Sequence, residues 1–280
     1  MKFNKITEKP SDYRHLETMG TIGLLRGINE EDTKVPPAVS TAVPQIAQLV
    51  DQIKIKLMNG GRLFYLGAGT SGRLGVLDAS ECPPTYGVSP SLVIGIMAGG
   101  DPALRSGLEE IEDSEEAGWR DLEAHQVSKN DVVIGIAASG TTPYVIGALK
   151  GAQKRNILTG CIVCNEGSPV ASHADHPIEV VVGPEFVSGS TRMKSGTAQK
   201  LVLNMISTAV MIGLGLVEDN QMVNMQISNK KLIDRGVGMV MKQGGVADYE
   251  EAKAILLKNG SVKLALQEIF KQTPNVNNGQ

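Results

Sequence analysis

Apolar residues along the chain alternate between short continuous runs and longer stretches with helical spacing. Five short runs, each bounded by polar or glycine positions, predict buried β-strands. Residues 36–58 carry apolar side chains at helical spacing, and Gly60 and Gly61 end that stretch. Because strands alternate with helices, we predict a doubly wound α/β fold with a parallel five-stranded sheet flanked by helices. The predicted strands are residues 63–66, 92–97, 132–137, 161–164 and 178–182.

The last third of the chain has a different pattern. Residues 196–213 are apolar almost all round, which is typical of a buried helix, and polar residues such as Gln199 keep the apolar run shorter than the ~20 residues of a membrane span. Beyond Asn220, charged helical segments without clear strands predict a small C-terminal helical appendage. We therefore expect a main domain over residues 1–218, a helical region over 219–280, and a frayed tail at 273–280.

Two predicted strands lead into loops rich in glycine and hydroxyl side chains. The first loop, after Leu66, reads Gly-Ala-Gly-Thr-Ser-Gly, and the second, after Ala138, reads Ser-Gly-Thr-Thr. Backbone N–H groups at a helix start, with neighbouring hydroxyls, favour an anion such as phosphate, and in a doubly wound sheet both loops lie beyond the carboxyl ends of the strands. The candidate binding residues are Gly69, Ser71, Ser139, Gly140, Thr141 and Thr142, with Thr70 and Ser190 ranked second.

The first loop also matches the dinucleotide-binding pattern G-x-G-x-x-G, at Gly67, Gly69 and Gly72. That pattern needs an acidic residue about 20 positions further on to hold the ribose. Here that region reads Thr-Tyr-Gly-Val, at residues 85–88, and neither loop contains the Gly-Lys-Ser/Thr of a Walker-type loop. The sequence therefore favours a small phosphorylated ligand over a nucleotide cofactor.

Composition limits the classes of function. The chain has 280 residues, 41% hydrophobic and 20% charged, as in a globular protein, and a net charge of −3 provides no basic footprint for nucleic acid. Individual positive side chains must therefore attract phosphate or a substrate carboxylate, and the candidates are Arg192 and Lys194. The chain has no early stretch that resembles a secretion signal, so we expect a cytoplasmic protein without a membrane partner.

The cysteines and histidines indicate no metal or redox site. Cys161 and Cys164 form a C-x-x-C, but they lie in a predicted strand, where residues three apart face opposite sides. His173 and His176 are close in sequence, yet no further Cys or His cluster completes a ligand set. We expect no metal and no cofactor.

Two acidic regions are candidates for acid–base chemistry. Glu81 precedes Cys-Pro-Pro, where a helix is expected to end. The dipole at a helix C-terminus disfavours a negative charge, so a carboxyl group there should hold its proton more readily. A carboxyl group that holds its proton suits a general acid. The second region, residues 109–116, is interpreted as a helix surface whose buried stripe contains Ile111. Helical spacing puts Glu112 and Glu115 beside that stripe and does not choose between them.

Three stretches closely resemble bacterial N-acetylmuramic acid 6-phosphate etherases. They are residues 66–87, which include Ser-Glu-Cys-Pro-Pro, residues 135–144, and residues 189–205, and the likeness extends over most of the chain. The resemblance implies a sugar isomerase (SIS) fold, usually a homodimer, and a lyase that converts a phosphorylated amino sugar to N-acetylglucosamine 6-phosphate and D-lactate. It also implies that the two active-site glutamates of the family fall on Glu81 and Glu112.

The implied reaction needs two carboxyl groups and neither a metal nor a redox cofactor. In the open-chain sugar the C1 aldehyde acidifies the C2–H, so one group removes that proton while the other protonates the lactate oxygen leaving C3. Water then adds at C3 and C2 is reprotonated. We assign Glu81 as the acid and Glu112 as the C2 base.

Two other functions fit the same fold. An aldose–ketose isomerase would remove a proton beside a carbonyl without expelling lactate. A sugar-phosphate-binding regulator would bind without turnover, and the presence of both Glu81 and Glu112 argues against it.

Overall fold

The computed structural model describes residues 3–106, 111–227 and 229–272. Its chain divides into two compact units, Met1–Ser80 with Pro90–Val210, and Glu81–Ser89 with Met211–Gln280. This division differs from a boundary at residue 218, because a short segment from the middle of the chain joins the C-terminal region. That segment is held there by a hydrogen bond from the Gln226 N–H to the Pro84 carbonyl, 3.2 Å long, and by the close fit of Gly87 against the backbone of Asn224.

The first unit contains one sheet of five parallel strands, which confirms the predicted fold class. The sheet has the order β2-β1-β3-β4-β5. Strand β4 begins three residues before the predicted run, because the Thr159 hydroxyl is satisfied inside the sheet by a 2.8 Å hydrogen bond to Asp175. The strands are β1 (Leu63–Gly67), β2 (Val93–Met97), β3 (Val132–Ala137), β4 (Leu158–Val163) and β5 (His176–Glu179).

The register of the sheet brings the two glycine-rich loops side by side. Strands β1 and β3 are parallel neighbours, and Gly67 at the end of β1 lies opposite Ile136 near the end of β3. The loops that follow these strands therefore leave the same edge of the sheet, as a doubly wound fold requires.

Ten α-helices are described in the two units. Helix α2 ends where Gly60 takes a left-handed φ of +80°. Helices α8, α9 and α10 pack around their own apolar core, which includes Val237, Leu256 and Leu266. The helices are α1 (Thr21–Asp32), α2 (Val35–Met58), α3 (Gly69–Tyr86), α4 (Gly100–Arg105), α5 (Glu115–Ala124), α6 (Pro143–Gln153), α7 (Lys194–Gly213), α8 (Lys230–Gly244), α9 (Tyr249–Asn259) and α10 (Val262–Gln272).

The apolar helix predicted over residues 196–213 is α7. Val202, Ile206 and Val210 on it are completely buried, whereas Met205 and Ile212 on the other side are 40% and 51% exposed, so one face of the helix is buried and not its whole surface. Among the helices of the described residues, none has the length and apolar character needed to cross a lipid bilayer.

Two local expectations differ from the structure. Helix α3 does not end before Pro83 but continues through it to Tyr86, since a proline already has a helical φ and only biases the residue before it. Residues 111–114 are a turn rather than a helix surface, and α5 begins only after Ser114, whose hydroxyl accepts a hydrogen bond from the Ala117 N–H at 3.3 Å. Glu109 and Glu110 lie outside the described residues.

Candidate functional site

The first glycine-rich loop turns sharply from β1 into α3. Gly67 fits so closely that an added Cβ would lie 2.9 Å from both the Gly72 nitrogen and the Ile136 carbonyl oxygen. Gly69 has a left-handed φ of +53°, and an added Cβ there would meet no atom within 4 Å. The backbone at Gly69 is therefore open to a ligand, whereas Gly67 serves the packing of the loop on β3.

Ser71, in the first turn of α3, is buried, and its hydroxyl donates a 2.9 Å hydrogen bond to the Gln199 side-chain oxygen on α7. Thr70 is half-buried, and its methyl carbon would lie 3.5 Å from a Cβ at Gly196, so the starts of α3 and α7 are in contact. Gln199 is a residue that the sequence did not single out as functional. It can direct the Ser71 hydroxyl, and a Gln near the start of a largely apolar helix is the signal that marks it.

The second loop, between β3 and α6, presents three hydroxyls close together. Ser139 and Thr141 are half-buried, their hydroxyl oxygens lie 3.1 Å apart, and the Thr141 N–H donates to the Ser139 oxygen at 3.3 Å. Thr142 immediately precedes α6 with an extended backbone, and its side chain does not cap the helix. Gly140 has a φ of +70° and packs against Ser168. Hydroxyls gathered at a helix start can donate several hydrogen bonds to one oxyanion.

Glu112 is fixed next to this second loop. The Tyr144 N–H, in the first turn of α6, donates a 3.0 Å hydrogen bond to the backbone carbonyl oxygen of Glu112. Tyr144 is only two residues beyond Thr142 in the sequence. The Glu112 residue is half-buried. The turn that ends at Ser114, and not a helix face, thus brings the backbone of Glu112 to the second loop.

Glu81 lies in the last part of α3 and is exposed to solvent. Because α3 continues for five more residues, Glu81 is not at the helix C-terminus, and the helix-end argument for its role as an acid fails. It belongs to the second compact unit.

The cationic candidates have different surroundings. Arg192 is exposed, and Ser190 is half-buried in the turn before α7. Lys194 is 1% exposed, and its ammonium group is ion-paired with the Glu31 carboxylate. Its charge is therefore compensated inside the protein, which leaves Arg192 as the candidate with an accessible charge.

Two buried carboxylates hold the start of α7 in place. Glu185 is 1% exposed and accepts hydrogen bonds from the Lys194 N–H at 2.8 Å and the Ser195 N–H at 2.9 Å. Burial, the largest influence, acts to raise the pKa of Glu31, but hydrogen bonds and charges of Lys194 and Lys34 hold that pKa below its ordinary value. The first amides of α7 are thus already bonded to a carboxylate of the protein.

The buried thiols of Cys161 and Cys164 are not activated as nucleophiles. Burial raises the pKa of each to about 12, so both remain protonated at neutral pH. In the described part of the chain, no group of three or more His, Cys, Asp or Glu side chains is arranged to hold a metal ion.

The sheet of five parallel strands flanked by helices is the fold of the SIS-domain proteins. The chain matches the glucokinase regulatory protein N-terminal SIS domain over residues 45–153 and the SIS domain over residues 106–209. Solved structures with the same fold include a phosphoheptose isomerase from Francisella tularensis, 17% identical, with a TM-score of 0.53 over 69% of this chain and 100% of that chain. A putative phosphosugar isomerase from Bacteroides fragilis is 16% identical, with a TM-score of 0.54 over 70% of this chain and 92% of that one.

Relatives of higher identity define the family within this class. An N-acetylmuramic acid 6-phosphate etherase from Porphyromonas gingivalis is 60% identical over 97% of this chain and 98% of its own length. Another, from Bacteroides fragilis, is 58% identical over 94% of each chain. The chain belongs to the N-acetylmuramic acid 6-phosphate etherase family, which confirms the resemblance seen in its motifs.

Proposed function

We propose that the protein is a carbon–oxygen lyase that cleaves the D-lactyl ether of N-acetylmuramic acid 6-phosphate, giving N-acetylglucosamine 6-phosphate and D-lactate. The reaction serves amino-sugar catabolism and cell-wall recycling. The observation that carries the proposal is 60% identity over nearly the whole chain with an etherase. Identity at this level favours the etherase over the isomerase and the regulator, which share only the fold.

The sugar phosphate is proposed to bind at the two loops. Support comes from the hydroxyls of Ser139, Thr141 and Thr142, which gather before α6, and from the open backbone at Gly69. Thr70, Gly140 and Ser190 remain candidates. Ser71 can contribute once its hydroxyl turns from Gln199 to the ligand. Arg192 is the proposed counter-charge, since the charge of Lys194 is already paired with Glu31.

The proposed chemistry is elimination followed by hydration. Glu112 removes the C2 proton of the open-chain sugar, the C3–O bond breaks, and Glu81 protonates the departing lactate oxygen, so that a C2=C3 double bond forms beside the C1 aldehyde. In the second half, Glu81 takes a proton from the water that adds at C3, and Glu112 returns the proton to C2. The position of Glu112 beside the second loop supports its part in this scheme.

The two glutamate roles predict different defects in matched variants. Glu81→Gln should lower D-lactate release by about 10²–10⁴-fold and still exchange the C2 proton with solvent deuterium, because the base remains. Glu112→Gln should lose both lactate release and exchange. The measurement is NMR of N-acetylmuramic acid 6-phosphate in D₂O, together with a D-lactate assay. Lactate release by Glu81→Gln at the wild-type rate would contradict the assignment of Glu81.

Product analysis of the wild-type protein tests the proposed function itself. Incubation with N-acetylmuramic acid 6-phosphate should give equal amounts of D-lactate and N-acetylglucosamine 6-phosphate. A ketose phosphate formed without lactate would indicate the isomerase, and binding without any product would indicate the regulator.

The proposal includes a homodimer in the cytoplasm. Pairing of subunits is common among SIS proteins and predicts twice the chain mass in sedimentation. A cytoplasmic location is supported by three free, buried cysteines, which are typical of a reducing compartment.

A further inference from the structure

Asn165, two residues after the end of β4, is completely buried and makes contacts in two directions. Its side-chain oxygen accepts hydrogen bonds from the Ile6 N–H at 2.6 Å and the Thr7 N–H at 3.2 Å. Its amide nitrogen donates toward the Thr7 hydroxyl at 3.0 Å and toward the carbonyl oxygens of Ala138 and Ser139 at 3.1 and 3.0 Å. One side chain thus connects the start of the chain to the second loop.

The bonds to the loop fix which way its peptide groups face. The Ala138 carbonyl also accepts from the Cys164 N–H at 3.0 Å, and the Gly140 carbonyl accepts from the Val170 N–H at 2.9 Å. Three consecutive carbonyls, those of Ala138, Ser139 and Gly140, are therefore turned toward residues 164–170. In a trans peptide the next N–H points the opposite way. Two of these N–H groups are bonded within the loop, that of Gly140 to the Ala137 carbonyl at 3.0 Å and that of Thr141 to the Ser139 hydroxyl at 3.3 Å. With the three carbonyl oxygens turned toward residues 164–170, they do not repel an anion on the other side of the loop.

The N-terminal segment, residues 5–11, is held at two places. Thr7 is completely buried where it meets Asn165. Four residues on, the Ser11 N–H donates to the Ser188 hydroxyl at 2.8 Å, and the Ser11 hydroxyl donates to the Phe186 carbonyl at 2.7 Å. The segment therefore runs from the second loop to the residues between β5 and α7.

We propose that Asn165 is a positioning residue that couples the N-terminal segment to the phosphate-binding loop. By holding the carbonyls of Ala138 and Ser139 away from the ligand, it keeps the loop ready for the anion, and binding of the anion in turn tightens its hold on Ile6 and Thr7. The inference rests on the proposed function, because it takes the ligand of the second loop to be a sugar phosphate.

A pair of variants separates this role from a merely structural one. Asn165→Asp keeps the shape and the acceptor for Ile6 and Thr7, but it replaces the donor with an oxygen that faces two carbonyls. It should raise KM and the inhibition constant of inorganic phosphate by about tenfold or more, with kcat per folded protein retained within about threefold. Thr7→Val, the control, removes only the hydroxyl and should change KM less than twofold, roughly. A variant with lower stability but unchanged KM and phosphate inhibition would overturn the proposal.

Hydrogen exchange in the wild-type protein tests the coupling without any variant. Saturation with N-acetylglucosamine 6-phosphate should slow amide exchange at residues 139–142 and also at Ile6 and Thr7, as followed by NMR. Protection of the loop without any change at Ile6 and Thr7 would overturn this inference alone. Failure of the wild-type protein to release lactate would overturn the proposed function, and the inference with it.

Discussion

Gly140, in the second loop, has no room for even one additional side-chain carbon atom. Its φ of +70° lies in the left-handed region, and a Cβ at this position would collide with the Ser168 side chain beneath the loop. Ser168 in turn accepts a 3.2 Å hydrogen bond from the Ala171 N–H, so it cannot move aside freely. Because glycine has no Cβ, the loop can pack directly against residues 164–170.

Replacement of Gly140 by alanine should damage ligand binding beyond its effect on stability. The left-handed conformation costs about 1–2 kcal/mol for alanine, and the collision with Ser168 must in addition displace Ser139 and Thr141. We expect KM for the sugar phosphate to rise on the order of tenfold or more.

Gly60→Ala is the matched control for this variant. Gly60 has a φ of +80°, and a Cβ there meets nothing within 4 Å. It should lose only the left-handed cost of about 1–2 kcal/mol in unfolding free energy, without the collision, and should keep an unchanged KM. Equal KM values for Gly140→Ala and Gly60→Ala would contradict the account of the loop.

Asp78 links two elements, α3 and α7, inside the first unit. It is 6% exposed, and one of its oxygens accepts hydrogen bonds from Asn204 at 2.9 Å and Ser207 at 3.1 Å. Burial is the largest influence and raises the pKa of Asp78 above its ordinary value, while hydrogen bonds from Asn204, Ser207 and Tyr65 act in the opposite direction. Burial between these helices thus favours the neutral carboxyl group more than water does.

The raised pKa predicts the sign of a pH effect on stability. Asp78 stabilises the fold fully below its unfolded pKa of about 4, and this contribution is lost as pH rises through its higher folded pKa. Asn at this position keeps the acceptor oxygen and carries no charge. Relative to wild type, Asp78→Asn should therefore gain thermal stability as pH rises from about 4 to 8, as measured by calorimetry.

The exposed Asp51, on α2, supplies a control for the change in net charge. Its replacement by Asn removes the same formal charge at the surface. A difference between Asp78→Asn and wild type that instead grew toward acid pH would show that burial does not dominate at Asp78.

At the scale of elements, the sequence predicts what depends on short-range pattern. The five strands, α2 and α7 follow from continuous apolar runs and helical spacing, and only their ends shift where a polar residue such as Thr159 is satisfied within the sheet. The course of α3 past Pro83 and the turn before Ser114 differ from the sequence expectation, because proline only biases the residue before it and because Ser114 caps the start of α5. Partners distant in sequence, such as Ser71 with Gln199 and Lys194 with Glu31, require the folded chain. The hydroxyl loops could be identified because their chemistry is local to each strand end.

At the scale of the whole molecule, family membership and the two loops lead to one chemical claim. In the proposed reaction the bond that breaks joins C3 of the sugar to the lactyl oxygen, because elimination needs the leaving group on the carbon next to the acidified C2. The lactate should then carry away the original ether oxygen, and the hydroxyl at C3 of the product should come from water.

Turnover of N-acetylmuramic acid 6-phosphate in H₂¹⁸O tests that claim most directly. Mass spectrometry should find one ¹⁸O at C3 of N-acetylglucosamine 6-phosphate and none at the 2-hydroxyl of D-lactate. Label in the lactate hydroxyl, or an unlabelled sugar, would mean that a different bond breaks and would contradict elimination followed by hydration.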